Sequence, residues 1–379
     1  MDFALTAEQH SIYDMALSFA SERIEPFAAA WEEEGTIPRG MLAAAGELGL
    51  GGICVSEEYG GSGLSRFEAA IIFEALSHAC PSVAAFISIH NMSASMIDRF
   101  GSDELKRRLL PDFCSLQKVA SYCLTEPGSG SDAAALRTRA GREPSSYVLN
   151  GSKAFISGGN YSDFYLVMCR TGADGAKGIS TLVVPSNADG LSFGAFEKKM
   201  GWKAQPTAQV QFDDCRIGLE NLLGEEGQGF KYAMSGLDGG RLNIAACALG
   251  GAQAALSKTI TYMKERRAFG VSLSELQGLQ FKIADMETEL QAARIFLYQA
   301  AWKLDNKTPD AGKYCAMAKR LVTDVAFEVS NAALQLHGGY GYLADYGIEK
   351  IVRDLRVHQI LEGTNEIMRV IIARHLFAD

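Results

Sequence analysis

The hydrophobic pattern of this chain changes its period twice, and the order of the changes limits the folds available to it. Over roughly residues 6–116 apolar residues recur at helical spacing, with Gly and Pro between the segments. From about 119 to 216 the pattern consists of short runs such as FYLVMCR, ISTLVVP and AQVQFDD, which is typical of strands. The helical period then returns in four long stretches, 230–266, 276–304, 311–335 and 365–377. This order predicts an α+β protein and argues against the alternating pattern of a parallel sheet.

We therefore predict three domains. Residues 1–117 are expected to form a helical domain, 118–224 a β-sheet or β-barrel domain, and 225–379 an antiparallel four-helix bundle. The chain has 379 residues, of which 47% are hydrophobic, so it can bury a substantial core.

Composition excludes several classes of function. The formal net charge is -9 and there is no basic block, so nucleic acid is not an expected partner. Eight cysteines without a CxxC pair indicate buried thiols in a reducing compartment, and six histidines without ligand spacing predict no metal site. The first fifteen residues carry Asp2 and Glu8 in place of a basic leader, and no apolar run is long enough for a bilayer. We expect a cytoplasmic protein without membrane insertion.

Two motifs resemble known sites without their required context. The run GGYGYLA at 338–344 contains GxGxxA, but a dinucleotide fingerprint follows a strand, and here a helical stretch precedes it. It is better interpreted as a helix stop with close backbone approach. The run GSGSD at 128–132 lacks the GxSxG elbow, so covalent serine catalysis is not predicted.

Local chemistry leaves the role of four other segments undecided. The loop in YCLTEPGSGSD suits an anion or a flavin ring edge, or is an ordinary turn. In KAFIS, Phe155 and Ser157 share one strand face. The cations of KERRAFG either clamp a pyrophosphate or end a helix in solvent. In QILEGTNEIMR, Glu362 either caps the following helix or is a carboxylate made basic by burial.

The set of motifs in this order decides among these readings. YCLTEPGSGSD, KAFISGG, ERRAFG, LQLHGGYGY and RDLRVHQILEGTNE resemble the acyl-CoA dehydrogenase family across essentially the whole chain. GLDGGRLNIA and RVHQILEGTNEIMR look most like the branch that oxidises isobutyryl-CoA in valine breakdown. The resemblance implies an FAD enzyme that oxidises a short branched acyl-CoA and passes electrons to electron-transfer flavoprotein. It also implies a flavin shared between subunits, hence at least a homodimer and usually a homotetramer.

The same resemblance assigns cofactor-binding positions. It implies a flavin-ring wall, a site for the adenosine pyrophosphate half that is completed by a neighbouring subunit, and contacts to flavin phosphate and ribose. For the flavin-ring wall the implied positions are Tyr122, Leu124, Thr125, Phe155 and Ser157, with Ser131 toward the substrate. For the adenosine pyrophosphate half they are Arg266, Phe269 and Gln277, completed by Gln335, Gly338 and Gly339 of the neighbouring subunit. Flavin phosphate and ribose are expected to contact Thr364 and Glu366.

Glu362 falls at the family's catalytic-base position. Some members place the base on the long helix, at the position that is Gly240 here, and glycine cannot act as a base. By resemblance, Asp238 and Arg241 contact CoA or shape the pocket, although the two are also spaced for an ion pair within the helix. Leu361, where several straight-chain members carry Tyr, alters the pocket, and Gly363 lets the loop bring carboxylate and amide to one carbon atom.

Other activities stay open at this point. They are a short straight-chain or 2-methyl-branched acyl-CoA dehydrogenase, a same-fold oxidase, an enzyme acting on carrier-bound acyl groups, and a non-catalytic flavoprotein.

Overall fold

The computed structural model describes residues 4–377, so Asp2 and the outer ends of the first and third predicted domains lie outside the described residues. Within residues 4–377 the chain forms eleven α-helices and nine strands. The helices are α1 (Ala7–Arg23), α2 (Ala28–Glu34), α3 (Arg39–Glu47), α4 (Arg66–Ala79), α5 (Pro81–Phe100), α6 (Asp103–Cys114), α7 (Gly229–Glu265), α8 (Gln277–Asp305), α9 (Ala311–His337), α10 (Ile348–Arg356) and α11 (Asn365–Leu376). The strands are β1 (Ala120–Cys123), β2 (Arg139–Arg142), β3 (Ser146–Ser157), β4 (Phe164–Arg170), β5 (Ile179–Pro185), β6 (Leu191–Phe193), β7 (Thr207–Gly218), β8 (Arg267–Ala268) and β9 (Val271–Ser272).

Local capping chemistry sets several helix starts. At α1, Thr6 Oγ1 accepts from the Gln9 amide while the Gln9 side chain accepts from the Thr6 amide. Ser65 and Glu68 form the same reciprocal capping box at the start of α4. Each box satisfies two backbone N–H groups that the first helical turn leaves without partners.

The helical, β, helical order is confirmed, and the four predicted C-terminal helices match α7, α8, α9 and α11 to within two residues at each end. Two features were missed. SYVLNG and KAFIS were predicted as separate runs, but they form the single strand β3. Register shifts between Leu149 and Gly151 and between Lys153 and Ile156 interrupt its alternation without ending the strand. The helix α10 is short and follows a glycine-rich segment, so its periodicity was too brief to predict it.

The middle of the chain forms a curled, mainly antiparallel sheet. Long β3 pairs antiparallel with β7, β2 extends β3 on the other side, and β6 extends β7. Strand β4 lies between β1, to which it is parallel, and β5, to which it is antiparallel. The sheet thus brings the ends of β1 and β3 to the same region, where the predicted flavin wall lies.

Helix α7 is the central element of the helical core. It packs against α8 and α9 of the C-terminal segment and also against α4 and α5 of the N-terminal segment. Close approach to α4 depends on Gly250, because a Cβ atom there would lie 2.0 Å from the Glu74 carbonyl oxygen. The two helical segments therefore share one core around α7.

We expect Gly250→Ala to destabilise the protein by about 2 kcal/mol, because the new methyl group forces α4 and α7 apart. Gly40→Ala is the matched control, since Gly40 also lies in a helix but its added Cβ would meet no atom within 4 Å. The measurement is the thermal midpoint by circular dichroism. Equal midpoints for the two variants would contradict the proposed close packing.

Candidate active site

Glu362 lies in a left-handed turn directly before α11. Its φ angle is 53°, and that of Gly363 is 90°. Thr364 is the N-cap of α11, where its Oγ1 accepts a hydrogen bond from the Ile367 amide at 3.3 Å. The interpretation of Glu362 as the helix cap is therefore wrong, and its side chain is left for another role.

The carboxylate of Glu362 points at Gly240 on α7. A Cβ atom at Gly240 would lie 2.4 Å from Glu362 Oε2 and 2.9 Å from Met92 Sδ. Glu362 Oε2 is buried and has no hydrogen-bond partner within residues 4–377, although the residue as a whole is only half-buried. Glycine at 240 thus provides the space in which a buried carboxylate oxygen stands unpartnered.

Burial raises the pKa of Glu362 to about 7, while the positive charges of Arg241 and Lys319 act in the opposite direction. The burial effect is the largest because an ionised carboxylate loses hydration in this setting. Tyr122 on β1 lies close enough for Glu362 to contribute to its raised pKa, after burial as the main cause. The predicted direction of the Glu362 shift is therefore present in the structure.

Arg241 connects α7 to the Glu362 turn. Its Nη1 donates to Asp238 Oδ1 at 2.7 Å, so the ion pair within the helix is present. Its Nε also approaches the Glu362 carbonyl oxygen at 3.5 Å. Leu361 is partly buried against the helical core beside this turn. The structure thus brings together Asp238, Arg241, Leu361, Glu362 and Gly363.

A second group of predicted residues lies where β1 ends and β3 ends. The Ala154 amide donates to the Thr125 carbonyl oxygen at 2.9 Å, which joins the two segments. Phe155 has a φ angle of 58° at the β3 bulge, and its side chain is 69% exposed. Leu124 is buried beside Thr125, and Ser157 is half-buried. Thr125, Leu124, Phe155 and Ser157 thus lie in one region with Tyr122 of β1, and their role as a flavin wall stays a prediction.

Three residues that support this wall were missed. Gln205 is fully buried, and its Nε2 donates to Ser157 Oγ at 2.6 Å. Lys153 is also fully buried, and its Nζ donates to Glu126 Oε1 at 2.8 Å and to the Leu124 carbonyl oxygen at 3.0 Å. The sequence did contain a signal for the Lys153–Glu126 pair. Lys153 lies within a strand-like run and Glu126 directly follows another, and charged side chains that become buried are usually paired.

A third group surrounds the turn after α7. Arg266 is the first residue beyond that helix, and its guanidinium lies 5.2 Å from the centre of the Tyr340 ring. Phe269 on the same turn is 93% exposed. Helix α9 stops at His337, and Gly338 follows with a φ angle of 60°, as the helix-stop interpretation predicted.

The other predicted positions lie apart from these contacts. Gln277, Gln335 and Gly339 are exposed near the third group, and Ser131 is exposed on the loop after β1. Glu366 is exposed on the first turn of α11, where it pairs with Arg369 at 3.4 Å. Their predicted roles stay predictions.

Within residues 4–377, no group of His, Cys, Asp and Glu side chains has the arrangement of a metal site. None of the described helices combines the length and apolar character needed to span a bilayer. The eight cysteines are free thiols, of which Cys54 is half-buried and the others are buried.

Comparisons with known proteins place the chain in one family. Three family models match it: the N-terminal domain of acyl-CoA dehydrogenase over residues 6–117, the middle domain over 121–215 and the C-terminal domain over 227–377. The chain belongs to the acyl-CoA dehydrogenase family and is an oxidoreductase. This confirms the resemblance that its motifs carry.

Individual relatives agree with that assignment. The chain is 54% identical to the protein named isobutyryl-CoA dehydrogenase, mitochondrial, of Dictyostelium discoideum, over 99% of this chain and 90% of the relative. It superposes on butyryl-CoA dehydrogenase from Megasphaera elsdenii with a TM-score of 0.96 and 36% identity, over 100% of both chains. A second solved structure, described as electron transferring flavoprotein of Acidaminococcus fermentans, gives a TM-score of 0.97 and 41% identity, again over 100% of both chains.

The burial of Glu362 predicts a stability that depends on pH. Its pKa is raised from 4.5 to about 7, so the folded state retains a proton that the unfolded state releases. Stability is therefore lost as pH rises from about 4.5 to about 7. Glu362→Gln removes this penalty, and we expect the variant to be more stable than the wild type by about 2 kcal/mol at pH 8.

Thermal unfolding of both proteins at pH 5 and pH 8 checks this expectation. The difference in midpoint should be small at pH 5 and large at pH 8. A variant less stable than the wild type at pH 8 would show that the ionised carboxylate is well accommodated.

Proposed function

We propose that this protein is an FAD-dependent dehydrogenase that converts isobutyryl-CoA to methacrylyl-CoA, with Glu362 as the catalytic base. The observation that carries the proposal is the Glu362 carboxylate, whose Oε2 is buried without a hydrogen-bond partner among the described residues and whose pKa is near neutrality. A base of this kind is substantially ionised at neutral pH yet basic enough to remove the proton α to a thioester carbonyl.

The backbone of the same residue supports a second role. The Glu362 amide donates to no residue within 4–377, so it is an available hydrogen-bond donor beside the base. Such a donor stabilises the charge that develops on the thioester oxygen as the α proton leaves. The left-handed turn at Glu362 and Gly363 presents both groups from one short segment.

The residues of the β wall fit a planar aromatic cofactor. The exposed Phe155 ring offers an apolar face at the bulge. Because Gln205 donates to Ser157 Oγ, the hydroxyl hydrogen of Ser157 is left to donate elsewhere. FAD is the cofactor of this family and accepts the β hydrogen as hydride when it is bound.

We assign the flavin ring to Tyr122, Leu124, Thr125, Phe155 and Ser157, with Ser131 toward the substrate. The adenosine pyrophosphate half is assigned to the third group, formed by Arg266, Phe269 and Gln277 with Gln335, Gly338 and Gly339 of a second copy. Thr364 and Glu366 are assigned to phosphate and ribose.

The branched substrate is supported by sequence similarity and by the pocket. The Dictyostelium relative is named for isobutyryl-CoA, and its 54% identity exceeds the 36% identity of the butyryl-CoA enzyme. Glycine at position 240 supplies no carboxylate at that point of α7, so the proposed base comes from the turn before α11. Leu361 and the CoA-side pair Asp238 and Arg241 border that turn.

Electron-transfer flavoprotein is the proposed acceptor of the electrons, and a homotetramer the proposed assembly. Large apolar side chains exposed on α8 and α11 favour a second copy covering these faces; they are Phe281, Ile295, Trp302, Val370 and Leu376. A mass of four chains by light scattering would agree, whereas a monomer would contradict a flavin site completed by another subunit. The cytoplasmic location stays a prediction, and the Dictyostelium relative is named as mitochondrial.

The function is tested by anaerobic visible spectra of the purified holoenzyme after adding stoichiometric isobutyryl-CoA, butyryl-CoA or isovaleryl-CoA. The fastest bleaching by isobutyryl-CoA is the expected result. Fastest bleaching by another thioester would agree with acyl-CoA dehydrogenation but would contradict isobutyryl-CoA as the preferred substrate. A yellow protein that none of the three thioesters bleaches would contradict the proposed dehydrogenase activity. If the bleached flavin is rapidly reoxidised when oxygen is then admitted, an oxidase would be favoured.

Glu362→Gln is expected to retain FAD and to lower the rate of bleaching by about 10³-fold, because the amide cannot accept the α proton. Stopped-flow absorbance gives the rate, and the visible spectrum before mixing gives the FAD content. Bleaching at the wild-type rate would show that another group is the base.

Arg266→Ala is expected to lower FAD content, because the guanidinium is assigned to the pyrophosphate. Arg267→Ala is the matched control, since the neighbouring Arg267 side chain donates to the Gly270 carbonyl oxygen within its own turn. The ratio of flavin to protein absorbance after gel filtration measures both. Full flavin occupancy in Arg266→Ala would remove this assignment.

A further inference from the structure

A fully buried lysine lies behind the turn that carries the base. Lys319 is on α9, and none of its surface is exposed. Isolated charged side chains are costly to bury, so a lysine in this position needs compensating contacts. Those contacts all lead to the Glu362 turn.

The Lys319 ammonium binds the two residues on either side of the N-cap Thr364. Its Nζ donates to the Gly363 carbonyl oxygen at 2.8 Å and to Asn365 Oδ1 at 2.9 Å. Asn365 is itself fixed to α9, since its Nδ2 donates to Asp324 Oδ1 at 2.7 Å and to Thr323 Oγ1 at 3.0 Å. Lys319 thereby ties the left-handed turn to a long helix of the core.

The contacts of Lys319 are neutral, so its charge acts over a longer range. No carboxylate within residues 4–377 lies within 4.0 Å of its Nζ. Burial lowers the pKa of Lys319 to about 8, and the charge of Glu362 is the largest influence in the opposite direction. Between pH 6 and the Lys319 pKa, the lysine is therefore mainly protonated while Glu362 titrates.

Other titratable groups face Glu362 from the elements around it. On helix α7 they are Arg241, which acts on Glu362 and is paired with Asp238, and the Cys247 thiol, whose pKa the Glu362 charge raises. On strand β1 the group is the Tyr122 hydroxyl, whose pKa the Glu362 charge also raises. Asp324 of α9 and Glu366 of α11 act on Lys319 itself. Arg241 is partly neutralised by its ion pair, whereas Lys319 has no such partner in contact.

We propose that Lys319 is the positioning residue for the base. It holds the Glu362 turn in its left-handed form through the Gly363 carbonyl oxygen, and its positive charge favours the ionised form of Glu362. This inference deepens the proposed function and rests on the assignment of Glu362. It predicts that the lysine affects the pH dependence of proton removal and not only protein stability.

The test separates proton removal from hydride transfer. The holoenzyme is reduced with dithionite, so the flavin cannot accept hydride, and isobutyryl-CoA is incubated with it in D₂O. Exchange of the single α hydrogen is then followed by mass spectrometry between pH 5 and pH 8. We expect the wild-type rate to rise through about pH 7, where Glu362 ionises.

Lys319→Met removes the charge and both hydrogen bonds while keeping an unbranched side chain. The loss of a nearby cation raises the pKa of Glu362, so the rise in rate should move to higher pH by about 1 unit. At pH 6 the exchange rate should then be about tenfold below that of the wild type. Lys319→Gln carries the same expectation if the methionine variant does not fold. Lys319→Arg should return the rise toward its original pH.

Lys350→Met is the matched control. Lys350 on α10 is another largely buried lysine, but its ammonium pairs with Glu32 and Asp354, and none of these three residues belongs to the proposed flavin or substrate site. This variant should lose stability without a change in the pH of the rise. The proposal is overturned if Lys319→Met lowers only the plateau rate and leaves the pH dependence unchanged. A wild type that exchanges no α hydrogen would instead overturn the proposed function.

Discussion

The site depends on one place in the core where a side chain is absent. Gly240 on α7 leaves the volume that the Glu362 carboxylate occupies, since even a methyl group there would lie 2.4 Å from Oε2. The same helix approaches α4 through Gly250. Glycine in a helix interior costs about 1 kcal/mol relative to alanine. In helix α7, Gly250 allows the α4 backbone to approach closely, and Gly240 allows the Glu362 carboxylate to do so.

The buried carboxylates of the protein differ in whether a cation is in contact with them. Where a carboxylate supports the fold, it is paired, as Glu126 is with Lys153 and Glu74 is with Arg294. Glu362 is different, because the cations near it reach the backbone of its turn and leave Oε2 without a partner. A cation in contact lowers the pKa of a carboxylate and makes it a weaker base, so the lack of such a contact at Oε2 keeps the proposed base Glu362 more basic.

The fold class followed from the sequence because long helices and alternating strands have strong periods. The strand β3 was divided wrongly, since the register shift between Leu149 and Gly151 breaks its alternation beside the division, and α10 was too short to show a period. Motif order supplied the prediction of the site residues. It did not reveal Gln205, Lys153 or Lys319, because a buried polar residue is recognised by the partner that tertiary structure brings to it.

The left-handed turn explains why the base needs outside support. A glutamate with φ of 53° is strained, and such a conformation persists only where neighbouring contacts determine it. The Thr364 cap fixes the turn from the side of α11. Arg241 and Lys319 fix its two carbonyl oxygens from α7 and α9. Because these contacts engage the backbone, they hold the position of Glu362 without occupying its carboxylate, which keeps the side chain available for proton transfer.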